Sequence, residues 1–471
     1  MERGDSPGPG QVKSGYHRVL RFLEQRSVLL CLIAQAALLF YRLDLLPVWG
    51  DELFTMETSA LPLSGIVERV RVDIHPPLYY FLVHYWLAIP WPAAAIIKVR
   101  AFSGLWTLAG TLLLRRLWSP GPRFFLLWAL SPCLILYGRM GRSYTMQLFL
   151  ASLTIYWGLR VIRAPGCRRA QWIYAGCGAA LLYTHYLPAA AIVAAVGAML
   201  LYRRAWTAAA LPAAVMALAY APWLLNMRAA FGRVLHSEPY AVTGNAALDQ
   251  AIRLLYLPVS FTFGESLPLW VMAGGVVLAP ALAVAIWRAL RPAPDWLPLV
   301  GLAAAIGYLG ASRWVAFAFI PARLLFALPF YLMPAARRAW SCAALVCLWS
   351  GSLYSYFHLE DFLNKGYVLP FDRIAEIIER ESAGRSASLM LDAPGLDASP
   401  LTHRLPELVR GRGDAEVVWV LSTRGRRTGP AGRREIRSQE FVAYSAFDRR
   451  VMQLLDWPTQ PTHALELTEY R

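Results

Sequence analysis

The sequence predicts a mainly α protein, a polytopic bundle of membrane-spanning helices followed by a small soluble α/β domain. Three observations carry this reading. Hydrophobic residues make up 57% of the 471 positions and charged residues only 16%, with a mean hydropathy of +0.41, too apolar for one water-soluble domain. Apolar segments recur as far as residue 357, with arginines gathered between them. Beyond residue 358 the composition changes to short strand-like and helix-like runs. The net charge of +16 would suit nucleic acid, but no basic array is interleaved with aromatics, so topology explains the charge and no nucleic-acid partner is expected.

Residues 1–26, rich in Gly, Pro, Ser and Arg, read as a disordered cytoplasmic tail. Segment 27–43 is long enough to span a bilayer, and its apolar run continues past Ala34-Gln35-Ala36, so it reads as an uncleaved anchor rather than a secretory signal. Residues 27–357 form the transmembrane domain, with a first exported loop over 44–97. Further apolar segments lie near 76–91, 98–114, 123–138, 143–160, 171–184, 187–202, 205–225, 267–288, 296–311, 322–335 and 339–357. Segment 76–91 is the odd one: as a helix it reaches only about 24 Å against a hydrocarbon layer of about 30 Å, and prolines bracket it, so a juxtamembrane or re-entrant helix is expected.

Charge parity tests that expectation. If 76–91 does not cross, the loops carrying Arg115, Arg116 and Arg123, then Arg160 to Arg169, Arg203 and Arg204, Arg288 and Arg291, and Arg337 and Arg338 all fall on the side of the N-terminus. The positive-inside rule then gives about eleven spans, a cytoplasmic N-terminus and an exported C-terminus. Five of the six cysteines (Cys31, Cys133, Cys177, Cys342 and Cys347) lie inside apolar segments without metal-ligand spacing, and read as core. In the segment 358–471, SASLMLDAP and AEVVWVLST read as buried strands, FDRIAEIIERES and FDRRVMQLL as helices, with no nucleotide-phosphate loop.

On the exported face this topology collects Asp51, Glu52, Asp73, His75, Arg139, Arg142, His185, the long loop 226–266 and the Arg313 to Arg323 region. Ionisable groups at a lipid boundary are expensive and more often serve function than packing. Asp51 and Glu52 are the candidate catalytic pair, one acting and one supporting, since adjacent side chains do not face one point without a turn between them. A solvated turn or helix cap is the equal alternative. Pro76 and Pro77 fix the backbone after His75, which can donate to a phosphate or hydroxyl or simply anchor the interface; Asp73 can orient it or bind substrate. Arg139 and Arg142 break the positive-inside trend and can grip a phosphate through bidentate donors, or snorkel. Arg323, inside an apolar stretch, needs an anionic partner such as a lipid phosphate, or a place at headgroup level. Tyr183-Thr184-His185-Tyr186 ends a span with interfacial aromatics.

Taken in order, Asp51-Glu52, His75-Pro76-Pro77-Leu78-Tyr79-Tyr80, the Arg139 to Tyr144 stretch, Tyr183-Thr184-His185-Tyr186 and Arg323-Leu324-Leu325-Phe326-Ala327-Leu328-Pro329 resemble motifs of the bacterial GT-C glycosyltransferases. That group includes protein O-mannosyltransferases and aminoarabinose transferases, and the likeness runs over about residues 27–335. The resemblance implies a GT-C type bundle in a bacterial inner membrane and a polyprenyl-phosphate-linked sugar donor attacked on the extracytoplasmic side. It also implies Asp51 as general base, with Arg139, Arg142 and Arg323 on the lipid phosphate. Where the family motif has a glutamate this chain has Met140, so a carboxylate metal site is doubtful and no cofactor is expected. The expected reaction is an inverting single displacement onto a hydroxyl of a lipid, glycan or protein. A lipid-linked saccharide transporter and a catalytically degenerate scaffold are the rivals; transport predicts an internal repeat of spans, and none is visible.

Overall fold

The computed structural model describes residues 26–72, 75–226, 246–291, 293–314, 320–393, 396, 398–409, 415–423, 429–442, 450, 453–454 and 464–471. Helix α1 (Arg26–Phe40) opens the bundle and ends in turns, with Arg42 in the left-handed region at φ 46°. Three short helices follow, α2 (Gly50–Ala60), α3 (Leu63–Arg71) and α4 (Leu78–Leu87). At ten residues and about 15 Å, α4 is too short to cross a bilayer, in keeping with the bracketing prolines. Ile66 and Val70 of α3 and Tyr79, Tyr80 and Val83 of α4 pack with Val99, Met146, Tyr220 and Trp223, so the short helices sit on the ends of long ones.

The long helices are α5 (Ala95–Trp118), α8 (Tyr144–Arg163), α9 (Arg168–Leu182), α10 (Tyr186–Tyr202) and α11 (Thr207–Asn226). Beyond the undescribed stretch come α12 (Ala246–Phe263), α13 (Leu269–Ala289), α14 (Leu297–Trp314) and α17 (Ala339–Phe357). By length and composition α5, α8, α11 and α13 can each cross a membrane, with hydropathies of 1.2 to 2.2, and the chain is a membrane protein.

Three expected segments take a different form. Segment 123–138 is not one helix: α6 (Pro122–Leu130) stops at Ser131, whose hydroxyl accepts from the Leu134 N–H and caps α7 (Pro132–Arg139). Pro132 cannot donate to the preceding turn, so the chain restarts there. The stretch 226–266 is not all loop, because α12 occupies its second half despite an internal Pro258. Segment 322–335 is divided into α15 (Ile320–Arg323), a 3-10 turn at Leu325–Ala327 and α16 (Leu328–Ala335).

At the C-terminal end a four-stranded sheet has the order β1-β2-β4-β3, with β1 (Ala387–Asp392) parallel to β2 (Val417–Thr423) and the pairings of β4 (Ala464–Tyr470) antiparallel to β2 and to β3 (Glu435–Val442). Alternate residues Val417, Trp419 and Leu421 bury against Phe371, Ile374 and Ile378 of α18 (Phe371–Glu381), while Val418 and Val420 bury with Tyr470 on the other face, so the strand is covered on both sides. Two short helices, α19 (Ser399–Arg404) and α20 (Pro406–Val409), connect β1 to β2. The expected β1, β2 and α18 are thus present; the helix expected from FDRRVMQLL lies mostly outside the described residues.

This part is stitched to the bundle through the connection after α12. The Leu363 N–H donates to the Glu265 carbonyl at 2.7 Å, the Leu267 N–H to the Asp361 carbonyl at 2.8 Å, and the Ser266 hydroxyl to the Glu360 carbonyl at 2.8 Å. Gly264 makes the turn at φ +84°, where a Cβ would also meet Pro132 at 2.5 Å. The buried Glu265 carboxylate accepts from the hydroxyls of Tyr137, Tyr256 at 2.9 Å and Ser260 at 3.0 Å. Burial pushes Glu265 up to about 7 despite these three donors. Its folded value lies above the 4.5 of an ordinary glutamate, so its contribution to stability is full below about 4.5 and is lost as pH rises through about 7. The difference in thermal unfolding midpoint between wild type and Glu265→Gln in detergent is therefore expected to shift against the wild type between pH 5 and 8. A difference independent of pH would refute this account of the joint.

Candidate active site

A cavity of about 780 Å³ opens beside α2 and is lined by Asp51, Phe54, Glu57, Arg69, His75 and Arg142. Gly50 and Leu53 of α2, Ser399, Thr402 and His403 of α19 and Pro406 of α20 complete the lining. Asp51 and Glu52 lie in the first turn of α2, where the helix N-terminus favours negative charge. Neighbours on a helix point about 100° apart, and the two carboxylates part company accordingly.

Glu52 is fully buried and does not line the cavity. Its Oε1 accepts from Arg100 Nε at 2.9 Å and its Oε2 from Arg100 Nη2 at 2.6 Å, a bidentate pair with both side chains at most 2% exposed. Oε1 also accepts from the Gly141 N–H at 2.7 Å, and a Cβ at Gly141 would meet Val99 at 2.8 Å. Arg100 spends its remaining donors on the carbonyls of Leu43, Leu46 and Pro47 at 2.7 to 3.1 Å. Of the expected pair, one acting and one supporting, Glu52 has the supporting geometry: with every oxygen committed to α5 and the 140–143 turn, it holds those elements together.

Asp51 is 36% exposed, and its carboxylate lies 3.6 Å from Arg142 Nε. Arg142, itself buried, donates through Nη1 to the Asp51 carbonyl at 3.0 Å, Thr55 Oγ1 at 3.1 Å and the Tyr80 hydroxyl at 3.3 Å. Its Nη2 lies 3.1 Å from His75 Nε2. A guanidinium only donates, so His75 Nε2 accepts, and the ring proton of the neutral imidazole belongs on Nδ1. His75 is thereby oriented by Arg142.

His185, in the turn between α9 and α10, is buried, with its ring centroid 6.4 Å from that of His75. The Leu78 N–H donates to the Tyr183 carbonyl at 3.1 Å and ties this turn to the start of α4. Both ring nitrogens of His185 are buried without a hydrogen-bond partner. Burial, reinforced by Arg323, His75 and Arg142, holds His185 well below the usual histidine range, so the ring is neutral. Arg323 lies over the Tyr144 ring at 5.7 Å, and Gln147 Nε2 donates to its carbonyl at 3.0 Å. Five predicted residues thus gather here: Asp51, His75, Arg142, His185 and Arg323.

Arg139 does not join them. Its guanidinium donates to the carbonyls of Leu38, Leu39, Tyr41 and Arg42 and to the Tyr356 hydroxyl, and it lies over the Tyr356 and Phe357 rings at 5.5 and 5.2 Å. The expected phosphate ligand is instead a clamp on the carbonyls that end α1. Asp73 lies outside the described residues. Sequence reading missed Arg100, although an arginine in an apolar segment demands a partner as surely as Arg323 does. It also missed the rim group, in which Glu57 accepts from Arg69 at 2.6 Å and pairs with His403 Nδ1 at 2.9 Å. No local signal connects residues so far apart in the chain.

No family model matches the chain, and no curated protein matches it. Solved structures do. ArnT from Cupriavidus metallidurans bound to undecaprenyl phosphate superposes with a TM-score of 0.54 at 12% identity, over 94% of this chain and 97% of that one. The same protein in the apo state gives 0.51 at 11% identity, over 97% and 98%. The fold is thus ArnT-like, mainly helical with a small four-stranded C-terminal sheet.

Removing one partner of a buried ion pair strands the other, at about 3–5 kcal/mol. Glu52→Gln is expected to lower the thermal unfolding midpoint strongly, Glu52→Gln with Arg100→Met less so, and Asp51→Asn little. Equal midpoints for the Glu52 and Asp51 variants would contradict the division of labour between the two carboxylates.

Proposed function

We propose that the chain is a membrane glycosyltransferase that moves a sugar from a polyprenyl-phosphate-linked donor to an acceptor hydroxyl on the extracytoplasmic side of a bacterial inner membrane. The observation that carries this reading is the partly exposed Asp51 carboxylate beside the buried Arg142, which also holds His75, at a cavity in a membrane bundle, with His185 packed next to His75 and Arg323 acting on its charge. The ArnT fold, solved with undecaprenyl phosphate, supports the same donor class.

In this reading an Asp51 carboxylate oxygen takes the proton of the acceptor hydroxyl as that oxygen attacks the anomeric carbon. The bond from that carbon to the phosphate oxygen breaks, and polyprenyl phosphate leaves with the electron pair. Arg142 and Arg323 meet the charge that develops on the phosphate, which fixed cations in a shielded site do better than water. One displacement inverts the anomeric centre. Arg142 is held by Thr55, Tyr80 and His75 before substrate arrives, so little reorganisation accompanies the reaction. In this reading Arg142 and Arg323 carry the charge neutralisation.

Purified protein given a synthetic polyprenyl-phosphate sugar is expected to form glycosylated acceptor, and Asp51→Asn to lower kcat by roughly 10²–10⁴ with a far smaller change in KM. Undiminished turnover by Asp51→Asn would remove the base. Donor that crosses a proteoliposome membrane without being consumed would favour transport.

A further inference from the structure

A second cavity, of about 550 Å³, lies at the other end of the bundle. Arg100 sits near the start of α5 and Trp118 at its end, so the two sites are separated by about 27 Å of helix rise. The cavity lies between Trp118, the first turn of α6, Leu290 just after α13, Trp296 and the residues at and after the end of α16. Its lining holds two arginines, Arg123 and Arg337, and no carboxylate.

Four features make this an anion seat with apolar walls. Arg123 and Arg337 are exposed, and each uses Nη1 on a backbone carbonyl, Arg123 on that of Arg337 and Arg337 on that of Ala289, which fixes both forks at the rim. Trp118 Nε1 is a buried donor without a hydrogen-bond partner, its ring held edge-on against Phe330 at 5.1 Å and Tyr156 at 5.7 Å. The first turn of α6 lines the cavity with no side-chain cap at Gly121; Pro122 has no N–H and the Phe124 N–H donates to the Gly121 carbonyl at 3.0 Å, which leaves the Arg123 N–H and the helix dipole for an anion. Phe124, Leu290, Trp296 and Met333 supply the apolar surface. Guanidinium forks, an indole N–H and a helix N-terminus all select a phosphate anion, and the apolar walls select one that carries hydrocarbon.

We infer that this cavity binds the phosphate of an anionic phospholipid headgroup at the end of the bundle opposite Asp51. The inference does not depend on the sugar-transfer reading, because it uses none of the residues of that cavity.

The test is native mass spectrometry of delipidated protein titrated with phosphatidylglycerol, phosphatidylcholine or inorganic phosphate. One phosphatidylglycerol is expected to bind roughly tenfold or more tightly than phosphatidylcholine. Arg123→Gln and Trp118→Phe are expected to weaken it, Arg123→Lys to retain most of it, and Arg142→Gln to leave it unchanged. Trp118→Phe keeps the ring contacts and so serves should Arg123→Gln misfold. Equal binding of both lipids, or phosphatidylglycerol binding indifferent to both Arg123→Gln and Trp118→Phe, would overturn the inference. Loss in Arg142→Gln alone would move the lipid to the Asp51 cavity, and competition by inorganic phosphate at equal concentration would assign the seat to a soluble anion; either result overturns it.

Discussion

The buried pair of Glu52 with Arg100 is the constraint on which the site rests. A carboxylate and a guanidinium withdrawn from water are tolerable only when every oxygen and N–H is satisfied, and here Arg100 meets three carbonyls while Glu52 also takes the Gly141 N–H. Those obligations fix four pieces of chain at once: the turns after α1, the first turn of α2, the body of α5 and the 140–143 turn. Asp51 and Arg142 are the immediate neighbours of the residues so fixed. Their positions at the cavity are inherited from a pair that never touches it.

The same economy separates Arg139 from Arg142. A helix ending near lipid leaves carbonyls that no water reaches, and Arg139 satisfies those of α1 while its flat face lies over Tyr356 and Phe357. Three residues on, Arg142 turns to the cavity. Between them Met140 packs into the main core at 1% exposure, a place where a carboxylate would be buried. The departure from the family motif is thus a hydrophobic contact in this chain.

Much of this was legible in the sequence because ionisable groups stand out in an apolar chain. Asp51, His75, Arg142, His185 and Arg323 could be picked out on that ground, and the short α4 could be read from its prolines. What failed did so for physical reasons. A guanidinium seeks oxygen, and spacing cannot say whether that oxygen belongs to a lipid phosphate, as expected of Arg139, or to a helix end. Arg100 looked like part of a spanning segment because its partner lies in a different element. Helix α12 was hidden by Pro258, strand β3 by its run of exposed polar residues, and β4 by the glutamate and threonine that it buries. The break at Ser131-Pro132 was readable, but the hydrophobic run through it drowned the signal.

One wall of the Asp51 cavity comes from α19, which follows the whole bundle in the chain, and the contact of His403 with Glu57 closes that wall against α2. Biosynthesis therefore reaches the site from two ends. A nascent chain possesses its carboxylate and its arginines long before it possesses the α19 surface that lines the cavity with them, so the cavity takes its shape only after the bundle has been made.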